Sequence, residues 1–78
     1  MEVGQIVFSK RGRDKGRAFV ILLVEGEYVF LADGQMRPLD KPKKKKVKHT
    51  QPTKEVVKLM GGLTDADICK WLLPFKRR

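Results

Sequence analysis

Phe19-Val20-Ile21-Leu22-Leu23-Val24 is a run of six apolar residues bounded by Gly16 on one side and Gly26 on the other. By periodicity alone so short a run suits a buried strand or a piece of buried helix. Its length and flanking glycines select a strand, apolar on both faces and central in a sheet. Working outward, Gln5–Lys10, Arg17–Val24 and Tyr28–Ala32 are β-branched and aromatic-rich and are separated by glycine-bearing turns, so each is predicted to be a strand. In the first, Ile6 and Phe8 share one face and Gln5, Val7 and Ser9 the other, the alternation of a half-exposed strand. Glu25-Gly26-Glu27 makes a hairpin connection, and Asp33-Gly34 closes the third strand with a pair suited to positive φ.

Beyond Gly34, Pro38, Pro42 and Pro52 punctuate a stretch crowded with Lys41, Lys43, Lys44, Lys45, Lys46 and Lys48. Mutual repulsion predicts an extended or mobile first half, and Lys46–Thr50 an edge strand with Val47 turned inward. After Pro52 the period changes. Val56, Val57, Leu59 and Met60 share a helical side, Thr53 is placed to cap and Gly61-Gly62 to stop, which predicts a helix of about two turns. Thr64 and Asp67 have the spacing of a capping box, Leu63 and Ile68 that of a hydrophobic staple, and Pro74 is a stop. A second short helix is predicted from about Asp65 to Leu73. Its Ile68, Cys69, Trp71, Leu72 and Leu73 cover most of its circumference, so it needs a surface: the strands, the first helix or a partner. Trp71 and Phe75 are the expected anchors. The expected organisation is thus a strand domain over residues 1–52 and a helical tail over 53–78.

Charge points to the partner. Eighteen Lys and Arg against nine Asp and Glu give a formal charge of +9 in 78 residues. Nucleic acid is the default polyanion for such a chain and an anionic membrane the second. Of the 18 basic residues, 12 lie between Lys10 and Lys48; a second, smaller cluster is Lys76-Arg77-Arg78. The loop Lys10-Arg11-Gly12-Arg13-Asp14-Lys15-Gly16-Arg17 joins five basic side chains to two glycines, which suits amide N–H groups and fixed cations presented together to phosphate. Its alternative reading is a solvated hairpin loop. The lysine run likewise has three readings: phosphate contact, a solvated face, or a nuclear localisation peptide.

Val3-Gly4-Gln5-Ile6-Val7, Arg11 to Arg17 and the following Val20-Ile21 together resemble a KOW motif. The resemblance implies a mainly β fold, a small SH3-like barrel with a short C-terminal helical extension. Through Tyr28–Gly34 to Lys48-His49-Thr50-Gln51-Pro52 the pattern is similar to the fourteen-e family of archaeal and eukaryotic large-subunit ribosomal proteins, over roughly residues 3 to 52. Thr50 and Gln51 depart from the Leu and acid of that family, its asparagine near Lys46 is missing, and its longer helical C-terminus is cut short; a bacterial KOW-domain relative fits best. The resemblance implies RNA binding, with ribosomal RNA and ribosomal proteins as partners and a ribosome-bound, cytoplasmic location.

The candidate RNA contacts are Lys10, Arg11, Gly12, Arg13, Lys15, Gly16 and Arg17 in the loop, then Arg37, Lys41, Lys43, Lys44, Lys45, Lys46, Lys48 and His49. Tyr28 is a candidate base platform, with packing as its alternative. An enzyme is not expected: His49 is the only histidine, and no acid, Cys or Ser lies near it in sequence to orient it. Its cationic neighbours should lower its pKa. One Cys and one His do not make a structural metal site, and no cofactor is expected. With Cys69 alone, no internal disulfide forms, which fits a reducing cytoplasm. Glu2 stands where a signal peptide would be basic, and no apolar run approaches the roughly 20 residues of a membrane span. A soluble monomer is expected, with a protein-interaction or transcription/translation-factor accessory module of the SH3-like type as the alternative function.

Overall fold

Five strands form one antiparallel sheet: β1 Gln5–Ser9, β2 Ala18–Glu25, β3 Tyr28–Ala32, β4 Lys43–Lys46 and β5 Thr50–Val56, in the spatial order β4-β3-β2-β1-β5. A single helix, α1 Asp65–Leu72, follows and runs into a 3-10 turn over Leu73–Phe75. The computed structural model describes residues 1–76, so Arg77 and Arg78 of the expected basic cluster lie outside the described residues.

The sheet is coiled but not closed into a barrel. Adjacent strands lie about 4.8 Å apart, which would put the edges β4 and β5 of a flat sheet about 19 Å from each other. Yet only the 3-10 turn Val47–His49 joins them, and even stretched, the step from Lys46 to Thr50 covers only about 14 Å. The sheet must curl to let the chain cross. Register shifts between Gln5 and Val7 and between Ile21 and Leu23 supply local bends. No ladder joins β4 to β5 among the described residues.

Curling gives the sheet two buried faces. Val7, Phe19, Ile21, Val29 and Leu31 fill the concave side, with Val24 and Val47 against them. On the other side Ile6, Val20 and Ala32 meet Ile68 and Leu72 of α1. Fully burying a side chain of the Ile or Leu type contributes roughly 1.5–3 kcal/mol, so α1 docks on the sheet mainly through two residues. Strand β2 is buried on both faces over Phe19–Ile21, as its apolar run predicts, while beyond that Leu22 and Val24 are half-buried and Leu23 is exposed. Strand β1 is also buried on both faces, contrary to the half-exposed pattern: Ile6 and Val7 are both fully buried, because β1 is flanked by β2 and β5 and covered on each side.

Two expected elements are different in kind. The lysine run is itself the edge strand, paired as Tyr28↔Lys46, Phe30↔Lys44 and Leu31↔Lys43, so the strand lies earlier than the predicted Lys46–Thr50. The predicted helix after Pro52 does not form: its first half lies in strand β5, which crosses the expected boundary at residue 52, and residues 57–60 are irregular. Thr53, read as a helix cap, donates its hydroxyl to the Ile6 carbonyl at 2.7 Å, and Gln5 Nε2 donates to the Thr53 carbonyl at 2.9 Å. Pairing with β1 outweighed a weak helical period, and Pro52 is accommodated because β5 is an edge strand.

The tail helix forms where predicted. Asp67 N–H donates to Thr64 Oγ1 at 3.3 Å and Thr64 N–H to Asp67 Oδ2 at 3.0 Å, the reciprocal bonds of a capping box. Phe75 then meets Phe8 edge-on, ring centroids 6.1 Å apart. Trp71, expected as an anchor, is only half-buried, while Ile68 and Leu72 carry the contact. Among the described residues no helix is long and apolar enough to cross a membrane.

Candidate nucleic-acid interface

A tight turn folds the loop between β1 and β2 back on itself. Gly16 N–H donates to the Ser9 carbonyl at 2.8 Å, Lys15 N–H to Gly12 and Arg17 N–H to Asp14. Gly16 has φ +87°, a conformation that any residue with a Cβ adopts only under strain. Lys10, Arg11, Arg13 and Lys15 are exposed around this turn, with Gly12 exposed and Gly16 half-buried among them.

Asp14 fastens the loop to β4. Its carboxylate lies 3.0 Å from Lys43 Nζ and 3.4 Å from Lys45 Nζ, and Lys45 also donates to the Arg11 carbonyl at 3.0 Å. Ser9 Oγ is 2.8 Å from Asp14 Oδ1 and 2.9 Å from the Arg11 carbonyl; its one hydrogen serves one acceptor at a time. Burial by itself would raise the Asp14 pKa, but the Lys43 ammonium, the Ser9 hydroxyl and the Lys45 charge together hold it below the ordinary 3.8. Asp14 Oδ2 has no hydrogen bond of good geometry, so its contact with Lys43 is an ion pair.

Strand alternation splits the lysines. Lys43 and Lys45 face Asp14, and Lys45 is 9% exposed, held there by charge and a carbonyl. Lys44 points the other way, its Nζ 4.5 Å from the Tyr28 ring centroid and 5.9 Å from that of Phe30. Tyr28 thus carries a cation on its ring. Lys46 is half-buried, Lys48 exposed and His49 half-buried. Lys10 N–H donates to the His49 carbonyl at 2.8 Å, which sets the loop beside the 3-10 turn. Partial burial first, then the charges of Arg11, Lys48, Lys45 and Lys46, lower the His49 pKa below 6.5, so the imidazole is neutral at pH 7.

Arg17, Arg37 and Lys41 belong to a different neighbourhood. Arg17 pairs with Asp33 at 3.1 Å, and Asp33 Oδ1 accepts from the Gln35 and Arg37 amides at 2.9 and 2.8 Å, closing the turn after β3. Arg37 and Lys41 are exposed on the β3–β4 connection. The structure therefore joins the loop to residues 43–49 and sets Arg17 and Arg37 apart with the 33–37 turn.

Asp14 and Ser9, the two residues that position the cations, were not singled out by sequence. The available signal was an acid inside a loop of five cations, a setting that predicts an ion pair.

No family model matches the chain. It is similar to the large ribosomal subunit protein eL14 of Desulfurococcus amylolyticus, 27% identical over 71 residues that cover 90% of this chain and 74% of that protein.

Proposed function

We propose that the chain is a KOW-type RNA-binding module with an SH3-like coiled sheet, acting on ribosomal RNA in the cytoplasm as a ribosome-associated binding protein and not as an enzyme. One observation carries the reading. The Asp14 latch and the Lys10–His49 hydrogen bond gather two basic segments, far apart in sequence, onto one surface. The similarity to a ribosomal protein across nine-tenths of the chain supports RNA as the polyanion.

Within that surface the cations divide by role. Lys10, Arg11, Arg13, Lys15 and Lys48 are exposed and contact phosphate, while Lys43 and Lys45 hold the loop through Asp14. Neutral His49 donates to or stacks on RNA. Contacts of this kind fix position, and selectivity comes from RNA shape and from unpaired segments. The β1–β2 loop and the 3-10 turn after β4 supply most of the RNA affinity, and the segment after β5 mainly stabilises the sheet.

Anisotropy titration of a labelled ribosomal-RNA hairpin at several salt concentrations tests this. About five phosphate contacts give a log–log slope near −3 to −5, and Lys48→Gln or Arg13→Gln should each reduce it by about 0.7–0.9. A flat salt response refutes the reading.

A further inference from the structure

A groove of about 230 Å3 opens where the basic loop ends, between the turn after β3 and the C-terminal 3-10 turn. Ala18, Leu72 and Phe75 give it apolar walls, and Arg17, Gln35 and Lys76 its polar ones. We infer that this groove receives the base of one unpaired nucleotide in the RNA bound by the neighbouring basic surface, an inference that rests on the RNA-binding reading above.

Size limits the occupant first. Pockets that enclose a drug-sized ligand span roughly 300–1,000 Å3, so this groove takes a single ring system and not a whole cofactor. Its chemistry suits a base, which has an apolar π-face and a polar edge. The Phe75 ring is half-exposed and fixed by its edge-on contact with Phe8, an arrangement available for stacking. Gln35 is exposed at the turn, and its Oε1 accepts from Lys76 Nζ at 3.4 Å, which leaves its amide N–H groups for the acceptors of a base edge.

Charge selects a nucleotide over an uncharged ring. Arg17 is 43% exposed, and of the five N–H groups of its guanidinium the described contacts take one to Asp33 and one to the Met36 sulfur. The rest, with Lys76, are placed for a flanking phosphate. Asp33 is the one acid on the wall, and it does not oppose this: both its oxygens are engaged, one by Arg17 and the other by two backbone amides. Arg17 also ends the basic loop, so a strand following that loop's cations reaches the groove directly.

The test compares three hairpins of one sequence: fully paired, with a single bulged nucleotide, and with that bulge made abasic. The bulged form should bind roughly tenfold more tightly than the other two. Phe75→Leu and Gln35→Ala should each shrink that preference while leaving affinity for the paired hairpin and the salt slope unchanged. In the complex with the bulged hairpin, NMR signals of the Ala18 and Leu72 methyls and the Phe75 ring should shift, and with the abasic form they should not. An abasic bulge that binds as tightly as the intact one overturns the inference and leaves the RNA reading standing. So does an acidic peptide that shifts the same groove signals while the bulged hairpin does not. Failure to bind any of the hairpins overturns both.

Discussion

The basic loop and the C-terminal helix both lean on the sheet, one by charge and the other by apolar contact. The loop hangs on Asp14, whose carboxylate meets Lys43 and Lys45 beside a single serine hydroxyl. The helix hangs on Ile68 and Leu72, 0% and 2% exposed, and on the absence of a side chain at Gly34. Charge contacts near the surface weaken with salt and proton concentration, while apolar burial responds to neither in that way. The attachment of the proposed RNA-binding loop is thus the one sensitive to ions, and the attachment of the helix is not.

The largest effect should come from the apolar side. A Cβ at Gly34 would lie 2.5 Å from the Asp65 carbonyl oxygen and 2.8 Å from Cys69 Sγ, and the residue has φ +80°. Gly34→Val should undock α1 and leave little cooperative unfolding, and Ile68→Ala should cost about 2–5 kcal/mol. Urea denaturation at low and high salt measures both; a cost for Ile68→Ala that depends strongly on salt would break the contrast.

Asp14→Asn comes next. It strips the counter-charge from buried Lys45 and leaves that ammonium the Arg11 carbonyl, for a cost of about 1–3 kcal/mol that should fall as salt rises. The same substitution should loosen the loop, seen as faster amide exchange at Gly16, with α1 unaffected. A loss equal to that of Ile68→Ala would mean that the loop is as much a part of the core as the helix.

Acid sharpens the comparison further. The folded pKa of Asp14 lies below its unfolded value of 3.8, so its contribution is complete above that value and is lost as pH falls through the folded pKa. The wild type should lose stability on acidification below about pH 4, and Asp14→Asn should lack that part of the slope. His49 is also depressed, so its folded form resists protonation as pH falls below 6.5. In the proposed complex RNA phosphates should reverse that bias, so that binding near pH 6 takes up a proton that His49→Gln does not; calorimetry in buffers of different ionisation enthalpy reads it.

The smallest effect lies within the loop. At Gly16 the backbone is left-handed but nothing lies within 4 Å of an added Cβ, so Gly16→Ala should cost about 1 kcal/mol from strain alone. Exposed Lys15→Ala should stay within about 0.5 kcal/mol. Matching melting curves for the two would show that the turn tolerates either conformation.

Much of this architecture was legible in advance because it rests on local chemistry. The apolar run 19–24 had to be a strand with a buried part, the glycine turns placed the hairpins, and the Thr64/Asp67 pair located α1, since a capping box acts within four residues. The groupings of charge were not legible. Lys43 and Lys45 face Asp14 while Lys44 covers Tyr28 because strand alternation, acting in a register set by β3, sorted them.

Sequence by itself determined a small, basic, mainly β protein with a capped terminal helix, for those properties follow from composition, β-branched runs and contacts within a turn. Only the tertiary structure decided that residues 53–56 are strand and not helix, because the hydrogen bonds that favour the strand come from β1, some 45 residues away in the chain. It also decided which cations are free. A lysine is exposed or buried according to the partner that folding brings to it, and Asp14, nearly 30 residues before Lys43, is such a partner.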